Sequence, residues 1–285
     1  VAQILNNARG RQLTSVECCL LIDEAAVTIV AGNIRRSAGM RQFASADTAA
    51  AGAKENLWQQ DSDGNWRIDP ERDALRMANH TRVFHTRPSL EVVQEAVTKQ
   101  FHSGEGAIQF APEAIARSNA DLLTTAELRQ EFQEIYCEQG RQEAGRWLQL
   151  NHPEITEAEL EHRLGRYGLN PCGEILGADF HCNLAEVHLN RLDPDDLEGQ
   201  SDAFRAAGLS VACLLNHRFE VERYRQSRAW DPIVGVSFTG LFDFFVHAFG
   251  TPWLEWWAAG RPETAEGLAF KEQEAAFLAR WKTTV

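Results

Sequence analysis

The chain has 285 residues, of which 44% are hydrophobic and 24% are charged, a composition typical of a globular protein with a sizeable buried core. A formal net charge of -13 argues against broad electrostatic binding of duplex nucleic acid, so we expect no direct nucleic-acid partner. No apolar run has the length needed to cross a bilayer, and no signal-peptide pattern opens the chain, so we expect no membrane partner.

Six cysteines in a chain of this length do not indicate a disulfide scaffold. They include no C-x-x-C pair and no nearby histidine at zinc-finger spacing, so no metal site is predicted. The cysteines are Cys18, Cys19, Cys137, Cys172, Cys182 and Cys213. We expect reduced thiols and a cytoplasmic protein, with a thiol-based activity open for Cys172 and Cys182.

The first predicted helix spans residues 14 to 31. Thr14 and Glu17 have the spacing of a capping box, and the run that follows them is almost wholly apolar. Cys18 and Cys19 lie inside this helix and are interpreted as core residues.

Helices and strands alternate through the middle of the chain. Residues 79–82, Asn-His-Thr-Arg, form a polar cluster that fits the wall of a cleft and an ordinary surface equally well. Ser89 has the position of a cap for a helix to about His102, and residues 107–110 indicate a short buried strand. Predicted helices over 112–119 and 125–150 follow, and this alternation predicts an α/β domain.

A tight loop is predicted at Asn170-Pro171-Cys172-Gly173-Glu174-Ile175. Pro171 fixes its own φ and favours extended geometry at Asn170, while Gly173 permits a backbone angle that other residues avoid. Cys172 is therefore expected at the tip of the loop, with Glu174 on the same short arc. A thiol and a carboxylate two residues apart on a stiff loop can act on one small substrate from neighbouring directions.

The chain after this loop predicts a strand and then mostly helices. The run from Phe180 to Asn190 alternates, so that Phe180, Cys182 and Leu184 share a face, and Cys182 is expected to point into a core. An apolar helix over 204–219 is expected to bury Cys213. The later predicted elements are a strand over 233–238, a helix over 240–249 capped by Thr239, and a last helix over 264–282.

Local chemistry alone leaves several activities open for Cys172. A Cys–His hydrolase would use His181 or His188 as its base, but no nucleophile elbow or oxyanion-hole motif is visible. A thiol oxidoreductase would pair Cys172 with Cys182, which the ten-residue spacing permits without requiring it. A metal site made of His181, Cys182 and His188 is the weakest reading, because His181 and Cys182 would point to opposite faces of a strand.

The loop and the strand after it resemble those of ribonucleotide reductase large subunits, and above all the monomeric adenosylcobalamin-dependent ribonucleoside-triphosphate reductases. The resemblance rests on Asn-Pro-Cys-Gly-Glu at 170–174 and on Phe-His-Cys-Asn-Leu-Ala-Glu-Val at 180–187. It extends to residues 32–38 and 235–243 and so spans nearly the whole chain. It implies an α/β fold that is part of a ten-stranded barrel around a central finger loop, with residues 1–285 a fragment of one catalytic barrel domain.

The resemblance also implies a reaction, in which a ribonucleotide is reduced at its 2′ carbon by thiyl-radical chemistry. Cys172 would be the thiyl that removes the 3′ hydrogen, and Glu174 would be the base that takes the 3′-hydroxyl proton. Asn170 would orient the substrate hydroxyls. Cys182 would be one of two thiols that are oxidised to a disulfide.

Cofactor and partners follow from the same resemblance. The cofactor would be adenosylcobalamin, with its site mostly outside this chain. The expected partners are a ribonucleoside triphosphate substrate, a deoxynucleotide effector, a thioredoxin-type reductant and the remaining part of the same enzyme. Alternatives are the large chain of a di-iron, two-subunit reductase and a non-catalytic nucleotide-binding remnant.

Several parts of the family pattern are expected outside residues 1–285. The second reducing thiol is expected N-terminal to Val1. The phosphate-binding strand, the cobalamin region and the C-terminal cysteine pair are expected beyond Val285, as in a split-gene or intein-interrupted enzyme. The isolated chain is therefore expected to be inactive.

Overall fold

The computed structural model describes residues 1–27, 39–103 and 106–285. The chain divides into two compact units, Val1–Ala178 and Asp179–Val285. The segment 32–38, which contributes to the family resemblance, lies outside the described residues, as does the end of the first predicted helix. The assignment of the whole chain to one catalytic barrel domain stays a prediction.

The first unit contains helices and short strands in mixed order. Its described helices are α1 (Ala2–Asn7), α2 (Ser15–Val27), α3 (Thr48–Gly52), α4 (Leu90–Ser103), α5 (Ala111–Ser118), α6 (Ala126–Gln139), α7 (Arg141–Asn151) and α8 (Glu157–Leu164). Its described strands are β1 (Gly39–Ala44), β2 (Trp58–Gln60), β3 (Trp66–Ile68), β4 (Ala78–Phe84), β5 (Ala107–Phe110), β6 (Gly168–Leu169) and β7 (Leu176–Gly177). A 3-10 helix, Asp73–Met77, precedes β4.

A three-stranded parallel sheet organises the first unit, with the strand order β1-β4-β5. Helices α2, α3 and α4 each contact one of its strands. The two remaining pairs, β2 with β3 and β6 with β7, are antiparallel ribbons. The parallel sheet with helices between its strands agrees with the α/β architecture that the sequence predicts.

Helix α2 begins where the capping box predicts. The Glu17 N–H donates to the Thr14 hydroxyl at 3.2 Å, and the Thr14 N–H donates to the Glu17 carboxylate at 2.8 Å. Cys19 is buried in this helix, whereas Cys18 is exposed. The core assignment of Cys18 is therefore wrong, because neighbouring residues on a helix point about 100° apart and only one faces the core.

The predicted helix over 125–150 is divided into α6 and α7. Gly140 separates them with a φ of 92°, a left-handed value that breaks the regular helix. The two helices pack on each other, and their buried side chains include Phe132, Tyr136 and Leu148. This cluster, together with Ile115 of α5, forms the largest part of the helical core of the first unit.

The second unit is a two-stranded parallel sheet with helices on one side. Its strands are β8 (Asn183–His188) and β9 (Val234–Thr239). Its described helices are α9 (Leu197–Leu214), α10 (Glu222–Trp230), α11 (Leu241–Phe249), α12 (Thr251–Ala258) and α13 (Ala265–Thr284). An aromatic core joins the sheet to α9, α11, α12 and α13 and contains Phe204, Phe244, Phe245, Trp253, Trp256, Phe270 and Trp281.

The two faces of the β8-β9 sheet differ in burial. Val187 and Phe238 pack into the aromatic core, whereas Leu184 on the opposite face is 52% exposed. Cys182 precedes β8 and is also exposed. The prediction that Cys182 points into a core is wrong, because β8 begins one residue later and helices cover only the face that carries Val187.

Other helix boundaries in the second unit also differ from those predicted from the sequence. Helix α9 begins at Leu197, well before the predicted start, because the Asp196 carboxylate accepts the Gly199 N–H at 2.8 Å and caps it. It ends at Leu214, and Cys213 in its last turn is exposed, so the expected burial of Cys213 is wrong. The N-cap of α11 is Gly240 rather than the predicted Thr239.

The architecture is mixed α/β with small sheets. The described residues contain no closed barrel, so they fit part of a reductase-type domain without establishing the ten-stranded barrel implied by the resemblance. Among the described helices, none has both the length and the apolar character of a membrane span.

Candidate functional site

A short β-hairpin presents the loop that contains Cys172. Its arms are β6 and β7, with Gly168 opposite Gly177 and Leu169 opposite Leu176. A Cβ atom added to Gly168 would lie 2.6 Å from the Gly177 carbonyl oxygen, so this close approach requires glycine. The loop itself spans residues 170–175.

Hydrogen bonds within the loop define its shape. The Gly173 N–H donates to the Asn170 carbonyl at 3.0 Å, and the Ile175 N–H donates to the Asn170 side-chain oxygen at 3.1 Å. Gly173 has a φ of 76°, the left-handed value that the sequence led us to expect. The tight loop predicted for this stretch is therefore present, and both oxygen atoms of Asn170 accept hydrogen bonds that close it.

The loop lies over one face of the β1-β4-β5 sheet. The Asn79 side-chain amide donates to the Pro171 carbonyl at 2.7 Å. Gln42 and Gln109 each donate to the Tyr167 carbonyl at 2.9 Å, and Gln42 also accepts the Leu169 N–H at 3.0 Å. One side chain from each strand of the sheet thus bonds to the backbone of the hairpin.

A cavity of about 330 Å³ lies beside the loop. Its lining includes Met40, Asn79, Thr81, Gln100, Pro171 and Cys172. The Thr81 hydroxyl donates to the Met40 sulfur at 3.2 Å. Apart from His80, whose pKa burial lowers to about 4, the lining residues carry no ionisable nitrogen or carboxylate, so the cavity offers hydrogen bonds without formal charge at neutral pH.

The structure brings three of the four predicted catalytic residues onto one loop. Cys172 is exposed and lines the cavity, and Asn170 closes the loop. Glu174 is exposed, and among the described residues its carboxylate has no hydrogen-bond partner. Cys182 lies in the second unit, and its thiol is exposed. The catalytic roles of all four residues stay predictions.

A buried polar cluster occupies the opposite face of the same sheet. His80 is buried there, edge-on to Phe43 at a ring-centroid distance of 6.0 Å. Burial, with a smaller contribution from the positive charge of Lys54, lowers the pKa of His80 to about 4. Burial also raises the pKa of Asp23, although Arg41 pairs with its carboxylate and opposes the shift. At neutral pH His80 is therefore uncharged.

Sequence reasoning found only part of the wall of this site. The polar cluster at 79–82 was one candidate for a cleft, and Asn79 and Thr81 do line the cavity. Gln42 and Gln109 were missed. For Gln109 the sequence did offer a signal, because it is the single polar residue in the otherwise apolar strand Ala-Ile-Gln-Phe at 107–110.

The described residues do not form a cobalamin site. Three cavities along them have volumes of about 410, 360 and 330 Å³, each smaller than a corrin ring with its nucleotide tail. Within residues 1–27, 39–103 and 106–285, no group of three or more His, Cys, Asp or Glu side chains is arranged to hold a metal ion. The cofactor implied by the resemblance does not fit this part of the chain.

Comparison with known proteins yields a distant relative. The chain is similar to the adenosylcobalamin-dependent ribonucleoside-triphosphate reductase of Levilactobacillus brevis, with 28% identity over 253 residues. The match covers 87% of this chain and 27% of the relative, so the chain spans about a quarter of that protein's length. No family profile and no solved structure matches the chain. The likeness supports, at most, a fragment of this oxidoreductase family.

Proposed function

We propose that this chain is the part of an adenosylcobalamin-dependent ribonucleoside-triphosphate reductase that presents the radical-bearing cysteine to the substrate. The observation that carries the proposal is the placement of Cys172 on a hairpin loop, bonded to all three strands of a parallel sheet and facing a neutral cavity. The distant likeness to the Levilactobacillus brevis enzyme supports the same class.

In the proposed reaction the Cys172 sulfur, as a thiyl radical, takes the hydrogen atom from C3′ of the substrate and becomes a thiol. Glu174 takes the 3′-hydroxyl proton as general base and later returns it to the 3′ oxygen. The 2′-hydroxyl leaves as water with a proton from one thiol of a reducing pair, and the second thiol supplies the hydrogen that replaces it at C2′. Two electrons come from a pair of thiols that become a disulfide, and Cys182 is one of them. Cys172 then returns its hydrogen atom to C3′, so that its radical is regenerated.

The chemistry of the cavity supports a sugar as the bound group. Thr81 and Gln100 supply a hydroxyl and a carboxamide, which are suited to neutral hydroxyl groups. Among the described residues that line the cavity none is a lysine or an arginine, so the triphosphate would be bound by residues other than these. The Glu174 carboxylate, without a partner among the described residues, is free to accept a proton.

A radical on sulfur needs shielding from water and from stray hydrogen donors. Cys172 is exposed in this chain, so the remainder of the enzyme would have to cover it. The same remainder would hold adenosylcobalamin, since three cavities along the described residues, including the one beside Cys172, are too small for that cofactor. The chain alone is therefore proposed to be inactive.

The test is an assay of the complete polypeptide that contains this chain. It is incubated with a ribonucleoside triphosphate and a dithiol, and deoxyribonucleotide is measured by chromatography with and without adenosylcobalamin. We expect product only with adenosylcobalamin. Product that requires an iron-containing partner subunit instead would assign the di-iron class. Folded protein that binds nucleotide without making product in either assay would contradict the enzyme proposal and favour the non-catalytic remnant.

A further inference from the structure

We infer that the carboxamides of Gln42, Asn79 and Gln109 are positioning residues that fix the Cys172 loop over the sheet. Each strand contributes one of them: Gln42 is on β1, Asn79 on β4 and Gln109 on β5. The inference rests on the proposed function for what the loop does. How the loop is held is independent of that function and can be measured on this chain alone.

The register of the sheet places the three carboxamides on one face. Gln42 is aligned with Thr81, which is aligned with Ala107. Asn79 lies two residues before this row, and Gln109 lies two residues after it. Because side chains two residues apart on a strand point the same way, all three project from the same face. Along the direction of the strands they follow one another in the order Asn79, Gln42 and Gln109, each two residues after the one before, although Asn79 is on the middle strand.

The backbone of the hairpin meets the three carboxamides in the reverse order. Gln109 and Gln42 donate to the Tyr167 carbonyl. Two residues further on, the Leu169 N–H is bound by Gln42. After two more residues, the Pro171 carbonyl is bound by Asn79. Residues 167, 169 and 171 thus bond to carboxamides that lie progressively earlier along the strands, first Gln109, then Gln42 and then Asn79. The hairpin backbone therefore runs in the direction opposite to the strands of the sheet.

Carboxamides suit this task because they have the hydrogen-bonding groups of a peptide unit. Successive peptide groups of an extended chain point to opposite edges, so the Tyr167 carbonyl and the Leu169 N–H lie on the same edge of β6. Gln42 donates to the first and accepts from the second, as a neighbouring strand would. Gln42 also donates to Gln109, which orients both side chains.

The final contact lies next to the reactive residue. Asn79 bonds to the carbonyl of Pro171, the residue before Cys172, and Asn79 and Cys172 line the same cavity. The four hydrogen bonds between the three carboxamides and the hairpin therefore set the position of the sulfur relative to the cavity wall. A displacement of a reacting group by about 1 Å can reduce a rate by about 100-fold, so such fixing has a large effect on turnover.

The first test is amide hydrogen exchange, measured by NMR on this chain. The reporting amides are Gly173 and Ile175, which bond within the loop and to none of the three carboxamides. We expect Asn79→Ala to speed their exchange about fivefold and Gln42→Met, which removes more bonds, about tenfold. The control is Gln100→Met, because Gln100 lines the cavity but does not bond to the loop, and it is expected to change neither rate.

Exchange at Gly173 and Ile175 that stays within about twofold of the unmodified chain in Asn79→Ala would overturn the inference. Asn79 is exposed, so this variant is expected to fold even if Gln42→Met does not. In the complete polypeptide, Asn79→Ala is expected to lower kcat by about tenfold or more with an unchanged KM. If that polypeptide makes no deoxyribonucleotide at all, the proposed function fails, while the exchange rates still decide whether the carboxamides hold the loop.

Discussion

The two parallel sheets of this molecule differ in what covers their second face. Each packs one face against helices, in the first unit through α2, α3 and α4 and in the second chiefly through α9. The second face of β1-β4-β5 carries carboxamides that bond to the Cys172 hairpin. The second face of β8-β9 carries Leu184, Glu186 and His188, which are exposed.

Parallel sheets are normally covered on both faces, so the residues on the second face of each sheet indicate what can cover it. A face lined with carboxamides can pair with irregular backbone, because each carboxamide supplies the donor and acceptor that a neighbouring strand would supply. A face that mixes Leu184 with Glu186 and His188 lacks such a set, and within the second unit nothing packs on it. The polar face of the first sheet is thus the one adapted to hold the Cys172 loop.

The largest expected effect concerns the carboxylate on that loop. In the complete polypeptide, Glu174→Gln is expected to lower deoxyribonucleotide formation by about 100-fold to 10,000-fold, because a general base is lost while the shape of the side chain is kept. Glu198→Gln, an exposed carboxylate in the first turn of α9, is the matched control and is expected to leave the rate unchanged. Equal rates for the two variants would remove Glu174 from the reaction.

The next expected effect is a difference in the free energy of unfolding between substitutions in the aromatic core and on the exposed face of the β8-β9 sheet. Phe244 is 1% exposed and packs edge-on against Phe277 and Trp281, so Phe244→Ala is expected to lower the free energy of unfolding by about 3–5 kcal/mol. Leu184→Ala on the open face is expected to change it by about 0.5 kcal/mol or less. Urea unfolding measures both values, and a large loss for Leu184→Ala would show that this face is covered in solution.

The smallest effect is a difference in acid sensitivity between the units. His80 of the first sheet has a pKa lowered to about 4, against about 6.5 in an unfolded chain. The unfolded chain therefore binds the proton first, and the stability of the first unit is expected to fall as the pH decreases from about 6.5 to about 4.

Hydrogen exchange at Val83 in β4 and at Val187 in β8, followed from pH 7 to pH 4, measures this effect in each unit. Among the described residues of the second unit, none of the buried groups is a histidine. We expect stability at Val83 to decrease more steeply than at Val187. His80→Gln is expected to flatten the response at Val83, and an unchanged slope in that variant would show that another group is responsible.

Local signals in the sequence predicted the loop well. Pro171 and Gly173 restrict or permit particular backbone angles, and these preferences do not depend on distant contacts, so the tight loop and its left-handed glycine were predictable. The capping box at Thr14 and Glu17 was predictable for the same reason, since its partners are three residues apart.

Features that depend on distant partners were not predictable. An alternating strand shows that its faces differ but not which face is covered, so Cys182 and Leu184 were assigned to a core that helices do not provide. Gln42 and Gln109 bond to a hairpin that is more than fifty residues away in sequence, and no local pattern connects them. The register of the sheet is what brings these residues together.

The most direct test of the account is deoxyribonucleotide formation by the complete polypeptide that carries Cys172→Ser. The control is Cys213→Ser, because Cys213 is an exposed thiol on α9 with no proposed role. The account predicts no detectable product for Cys172→Ser, since a hydroxyl does not replace the sulfur-centred radical, and an unchanged rate for Cys213→Ser. Turnover that persists in folded Cys172→Ser protein would contradict the assignment of Cys172 as the residue that removes the 3′ hydrogen.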